Sequence, residues 1–440
     1  MSKDTIITNE MVNKFHDNYV SRGTAKVIER AVRKNGIKAT SEDPEINQRL
    51  HRVFNHEIKT GKVSNQKHSG RCWSFATLNT LRHQFALANN FKDFELSQNY
   101  LFFWDRIERA NKFFTNILAT ADRDLTDRLV DYYLKSAESD GGQWANAASI
   151  IEKYGVVPHY VMPDTFNTED TTDIAEVLTY MMKKDALILR KLAHQRASEE
   201  EIQATRQRML SDVYRACAYA FGEPPVKFDL EFRDDDQQYH RAAALTPLEF
   251  YHQYFKTDLH NYVVVTNAPD HEYYKLYSLP AQDNVIGGIP IQFVNVPFEK
   301  LQEVVMKQLD HNETIWVGND ILQQMDRKRG LMDAQLYHRE ELLGIDFTMS
   351  KKARLATHQA EVTHAMTLTG YNLVDGQPNR WKIENSWGDK NGDQGYFVMS
   401  QNWFEQYTYE AVINKKYLTA EIKQIAKQTP IELTAWDSLQ

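Results

Sequence analysis

The stretch "NQKHSGRCWSFATLN", residues 65–79, holds one of only two cysteines in a chain of 440 residues. Cys72 lies between Arg71 and Trp73, six residues after Gln66. A structural cysteine needs no such surroundings, but a nucleophilic one does. Its thiolate is the reactive form, and a helix N-terminus or a nearby imidazolium favours it. Cys72 meets the first condition, since "WSFATLNTLRHQFALANN" carries apolar residues at helical spacing and ends near Asn89–Asn90. His364 answers the second. It stands in "VTHAMTLTGYN", an alternating strand that holds a side chain rigidly. Asn385 comes 21 residues later in "WKIENSWGDKNGDQGYF", a separation suited to a hairpin return, with Trp387 beside it to exclude water. An amide orients an imidazole without adding a competing charge. Gln66 can offer a side-chain N–H to a developing oxyanion, next to the backbone N–H of Cys72. The predicted chemistry is acyl transfer through a cysteine.

The elements that must position these groups emerge from the pattern of the chain. Helices are expected over "LSQNYLFFWDRIERANKFF" and, after a Gly-Gly turn at Gly141–Gly142, over "WANAASIIEKY" up to Gly155. From about Asp164 to Gly222 the sequence reads as successive helices. "SEEE" at Ser198–Glu201 has capping-box form, and Cys217 falls on an apolar face, which makes it a core residue. "VKFDLEFRD" alternates as a strand, and "YVVVTNAP" and "ETIWVGND" read as buried strands. The last hundred residues turn to strand character. The fold class is therefore α+β: residues 1–165 form an N-terminal segment and helical lobe, 166–345 a mostly helical insertion, and 346–440 a β-rich lobe with a C-terminal arm.

Composition narrows the function classes. Hydrophobic content is 42%, charged content 25% and net charge −8, which disfavours non-specific nucleic-acid binding. The start of the chain lacks the apolar run of a signal peptide, and no window has the eighteen or so apolar residues of a membrane span. Two cysteines make no disulfide framework. These features together point to the cytoplasm, with no membrane partner. No histidine pair has the HExxH zinc spacing, so the reading invokes no metal and no cofactor.

Gln-x5-Cys-Trp, then His-Ala, then Asn-Ser-Trp-Gly resembles the papain superfamily of cysteine peptidases. "NQKHSGRCWSF" is closest to its bleomycin hydrolase and aminopeptidase C branch, as are "GGQW…EKYGVVP", "FGEPPVKFDLEFRD" and "LTPLEFY". The resemblance implies a papain-like two-lobed fold with a large insertion. It makes Cys72 the nucleophile, His364 the base and then acid, Asn385 its orienter and Gln66 the oxyanion donor. It also implies that Gly142, with Gly141, pairs its backbone with the peptide substrate, and that Trp387 covers the His–Asn pair. A homohexamer with internal active sites is implied as well.

In that branch the C-terminal arm lies in the cleft, and its carboxylate receives the substrate's amino group, which makes the enzyme an aminopeptidase. Here "TPIELTAWDSLQ" places Gln440 at that position. The arm is about three residues shorter than the branch pattern, a deficit of about 10 Å if the path is the same. Aminopeptidase activity on peptides is the reading adopted. Endopeptidase activity through an opened cleft is the alternative within the branch. A nucleic-acid-binding or non-catalytic scaffold protein is the alternative of another class, and a transglutaminase or amidase would share the Cys–His logic.

Overall fold

The structure is a computed structural model that describes residues 5–255 and 257–440. Two helices open the chain, α1 (Asn9–Ser21) and α2 (Ala25–Thr40). The sequence of this region is mixed and polar and does not announce them. α1 buries none of its residues, so it lacks the core-facing stripe that marks a helix in sequence.

The helical lobe is built on α3 (Cys72–Asn89), α4 (Gln98–Ala119) and α5 (Trp144–Tyr154). All three fall where apolar spacing predicts them. α3 carries Trp73, Phe75, Leu78, Leu81 and Phe85 into the core and stops at Asn90, which adopts a left-handed conformation. α4 is capped by Ser97, whose hydroxyl accepts from the Tyr100 N–H at 3.0 Å. α5 ends at Gly155. Against α4 pack α6 (Thr172–His194) and α7 (Glu199–Phe221). Ser198 caps α7 by accepting from the Glu201 N–H, and Cys217 is fully buried in the shared apolar cluster, as a core residue.

Next in the chain is a hairpin of β1 (Phe228–Arg233) and β2 (Tyr239–Leu245). From residue 262 onward the chain differs from the division that its composition suggests. β3 (Tyr262–Thr266), β4 (Lys275–Ser278), β5 (Gln292–Asn295) and β6 (Ile315–Asn319) lie inside the span assigned to a helical insertion, yet they join the main sheet. Only the first part of that span is chiefly helical. Short, fully buried strands carry little alternation, so the pattern identifies them as strands without revealing their partners.

The sheet is completed by β7 (His364–Val374), β8 (Gln377–Glu384), β9 (Tyr396–Ser400) and β10 (Thr408–Asn414). Its central order is β4-β5-β3-β10-β6-β7-β8-β9. β7 pairs antiparallel with both β6 and β8. β3 and β5 run parallel, and the other pairs in this series are antiparallel. A second core of Trp381, Trp403, Phe404, Met399 and Leu301 fills this lobe. Among the described residues no helix is long and apolar enough to cross a membrane.

Candidate active site

The lobes meet where the N-terminus of α3 abuts the start of β7. The Trp316 indole on β6 donates to the Trp73 carbonyl at 3.1 Å, and the Thr367 hydroxyl on β7 donates to the Ala76 carbonyl at 3.3 Å. These bonds dock the first turns of α3 on the sheet. Cys72 is a half-buried residue, and its sulfur faces the N–H groups of Ala365, Trp73 and its own residue. Ala365 directly succeeds His364, so the thiol sits at the strand end that carries the imidazole.

His364 Nε2 lies 2.8 Å from Asn385 Oδ1. Asn385 is fully buried just past the end of β8, and its Oδ1 also accepts from the Ser386 N–H at 2.8 Å. That arrangement leaves the other ring nitrogen to face the cleft. The Trp387 ring lies 4.9 Å from the imidazole at 34°, and the Arg327 guanidinium stacks 4.2 Å above Trp387. The indole thus shields the His364–Asn385 pair from water.

Burial pushes the Cys72 thiol up, against the pull of the three N–H groups, and Asp140 adds to the rise. Burial pulls His364 down to about 4, with Asn385 opposing and Arg327 assisting. Each group alone is thus held neutral near pH 7. Moving the proton from sulfur to imidazole creates two charges that face one another, and the pair titrates as a unit.

Gln66 is buried, and both ends of its amide are held. Its Oε1 accepts from the Ser386 hydroxyl at 2.6 Å, and its Nε2 donates to the Ser69 carbonyl at 2.6 Å. An amide nitrogen has two hydrogens, so one remains free for an oxyanion. Gly142 lies against Trp73, the residue after the nucleophile. A Cβ there would come within 2.8 Å of the Trp73 ring and 2.9 Å of Arg109 Nη2, which only glycine avoids. Gly141 and Gly142 line a cavity of about 270 Å³ together with Arg109, Asn284, Val362 and Gln440. The last residue of the arm therefore shares a cavity with the glycine pair. Leu439 is fully buried, and residues 437–440 curl into a turn through the Gln440 N–H to Asp437 carbonyl bond at 3.1 Å.

Of the eight residues singled out from sequence, Gly141, Gly142 and Gln440 line this cavity, while Cys72, His364, Asn385, Gln66 and Trp387 gather where α3 meets the sheet. Three others that hold the site were missed. Arg71 is fully buried and donates to Asp164 at 3.1 Å, the Thr168 carbonyl at 2.6 Å and the Ser69 hydroxyl at 3.0 Å. Asp140 accepts the Gly70 N–H at 3.1 Å, and its carbonyl accepts the Trp73 indole at 2.7 Å. Arg109 binds the Gly141 carbonyl at 2.6 Å and is anchored by Asp105. A basic or acidic residue in a polar stretch carries no local sign of such distant partners. Arg71, next to the nucleophile, is the one that its position could have flagged.

The sequence pattern of the Peptidase C1-like family matches residues 6–440. The chain belongs to that family. Within it, the chain is 52% identical over 434 residues to Aminopeptidase E of Lactobacillus helveticus, covering 98% of this chain and 99% of the relative. It is 50% identical over 433 residues to Aminopeptidase G of Lactobacillus delbrueckii subsp. lactis, with coverage of 98% and 99%. A crystal structure of PepW from Lactobacillus rhamnosis HN001 superposes with a TM-score of 0.98 at 43% identity, covering 99% of each chain. The Peptidase C1-like fold is thus that of the whole molecule, large insertion included, and it is α+β and papain-like.

Proposed function

We propose that the protein is an intracellular cysteine peptidase that removes residues from the amino termini of peptides. The observation that carries this reading is one cleft. It holds the Cys72 thiol against the Ala365 N–H and a His364–Asn385 pair, and Gln440 of the arm lines the cavity beside Gly141 and Gly142. Cys72 attacks the peptide carbonyl. The oxyanion rests between the free Gln66 N–H and the Cys72 N–H. His364 takes the thiol proton, passes it to the leaving amine, and then activates water to release the acyl-enzyme. Asn385 holds the imidazole and Trp387 keeps it dry. Gly142, with Gly141, pairs its backbone with the substrate. On this reading the carboxylate of Gln440 receives the free amino group of the substrate, and the arm closes the cleft to a longer chain. The names of the relatives, aminopeptidases G, E and C, support this choice.

The test is cleavage of one fluorogenic peptide with a free or an acetylated amino terminus, under reducing conditions, with Cys72→Ala as control. The free form alone is cut on this reading. Equal cleavage of the acetylated form would overturn the amino-terminal requirement, and activity in Cys72→Ala would overturn the mechanism.

The working form is a homohexamer in the cytoplasm with the clefts facing inward. Apolar side chains left outside the fold support self-association: Met11, Val12 and Phe15 on α1, and Val177, Tyr180 and Leu187 on α6, are exposed. Sedimentation of the purified protein tests this, and a monomer at micromolar concentration refutes it.

A further inference from the structure

His271 lies between two carboxylates from different parts of the chain. Its Nδ1 is 3.1 Å from Asp270 Oδ1, and its Nε2 is 3.2 Å from Asp437 Oδ2. The Ser438 hydroxyl donates to the other oxygen of Asp270 at 2.6 Å. Two neighbouring residues of the loop after β3 thus grip two neighbouring residues of the arm. The loop itself is rigid. Asn295 on β5 donates to the carbonyls of Ala268 and Glu272 at 3.0 and 3.2 Å and accepts from the Ala268 N–H at 2.9 Å. The edge of Tyr277 packs on the imidazole at 5.2 Å.

The grip also shapes the last residues of the arm. Asp437 offers Oδ2 to His271, while its Oδ1 accepts the Leu439 N–H at 3.1 Å. The same carboxylate therefore joins the anchor to the turn that sinks Leu439 and brings Gln440 to the cleft. The arm is also held before the turn by pairing of residues 431–432 with β4, by the Leu433 N–H to the Ser278 carbonyl at 2.8 Å and by Trp436 stacked on Arg128 at 3.8 Å, and within the turn by Leu439 in the apolar core.

We propose that His271 is a positioning residue that clamps the carboxyl-terminal arm across the cleft and so sets the requirement for a free amino terminus. This rests on the reading of the arm under the proposed function. Without a cation between them, Asp270 and Asp437 face one another, and breaking a part-buried ion pair leaves its carboxylates uncompensated. The groups that face the imidazole are Asp270, Asp437 and Tyr277, with Glu272 exposed beside them; the two aspartates, opposed by burial, raise His271 to about 9. A group raised above its ordinary value holds its charge below that value and loses it as pH rises through about 9. The clamp is therefore closed at neutral pH and opens in alkali.

The experiment uses the full chain and reads the ratio of kcat/KM on acetylated against free-amine peptide. His271→Ala raises the ratio by about tenfold or more, toward that of a variant lacking residues 436–440, while kcat on the free peptide stays within a few-fold. Wild type shows the same rise as pH climbs through about 9, and His271→Ala does not. If His271→Ala fails to fold, Asp437→Asn keeps the volume and removes the charge, and the same rise is expected. A ratio unchanged in His271→Ala or Asp437→Asn while the arm deletion raises it overturns the clamp and leaves the proposed function standing. A ratio that the arm deletion also leaves unchanged overturns both.

Discussion

Replacing Gln66 separates catalysis from structure more sharply than replacing Cys72 does. Its amide makes two hydrogen bonds within the fold, to Ser386 and to the Ser69 carbonyl. Each is worth about 0.5–1.5 kcal/mol to stability, so Gln66→Ala costs about 1–3 kcal/mol in unfolding measurements. Loss of one oxyanion donor costs about 2.7–4 kcal/mol in the transition state, a drop of about a hundred- to a thousandfold in kcat with little change in KM. Gln66→Glu makes the decisive comparison. It keeps the volume and the acceptor for Ser386, but it loses the donor to the Ser69 carbonyl and sets a carboxylate oxygen against it. It also brings a carboxylate toward the place where negative charge develops. At about 4 Å and an effective dielectric of about 20 that repulsion is about 4 kcal/mol. The expected order of kcat is wild type, then alanine, then glutamate.

The assay is kcat on a free-amine fluorogenic peptide, paired with urea unfolding and with the rate of Cys72 alkylation by iodoacetamide. Alkylation forms no oxyanion, so Gln66→Ala leaves it nearly unchanged. A glutamate variant as active as the alanine variant, or more so, refutes the oxyanion role. So does a loss below about tenfold in both.

Asn385→Ala removes a hydrogen bond to the imidazolium, worth about 1.5–3 kcal/mol, and kcat on the free peptide falls by about ten- to a hundredfold. His364 is pulled down to about 4, so the acid limb of the kcat/KM profile lies near that value instead of near the ordinary histidine range, and a limb at about 6 to 7 would contradict it. Gly142→Ala forces Trp73 or Arg109 to move, which costs about 1–3 kcal/mol of stability and raises KM, both measurable on one preparation. Glu410 is fully buried on β10, neither carboxyl oxygen has a hydrogen-bond partner among the described residues, and burial raises it to about 8. The fold holds its proton where the unfolded chain has released it, so stability falls as pH rises from the ordinary carboxylate range to about 8. Glu410→Gln removes that loss, and its Tm advantage over wild type grows with pH across this range.

Cys72 and His364 are legible because each stands on an element with a strong local pattern. α3 shows its helical spacing from Phe75 to Phe85, and the alternation around His364 marks β7. The hairpin return to Asn385 is set by the spacing of β7 and β8. The features that were not legible depend on contacts between distant residues. α1 has no core face, so nothing in its periodicity sets it apart from a polar loop. The strands at Tyr262–Thr266 and Ile315–Asn319 read correctly as strands, but their places beside β10 and β7 are a matter of tertiary pairing. Arm length alone does not contain the curl from Asp437 to Gln440 or the His271 contact, which depend on the tertiary fold.

Asp140 shows why such contacts matter to the chemistry. Its charge raises the Cys72 thiol, which opposes formation of the nucleophile. Its geometry works the other way. Its carboxylate takes the Gly70 N–H and the Thr171 hydroxyl, its carbonyl takes the Trp73 indole, and the chain then runs directly into Gly141 and Gly142. Arg71 ties the same turn to residues 164–168 from the opposite side. The loop bearing Gln66, the first turn of α3 and the glycine loop are thereby held at one junction. Two N–H groups of the helix N-terminus and that of Ala365 on β7 offset a nearby carboxylate only if they stay aimed at the sulfur. Asp140 supplies the aim at some cost in charge. The same rigidity lets a long helical segment and a C-terminal arm approach the cleft without loosening the groups that line it.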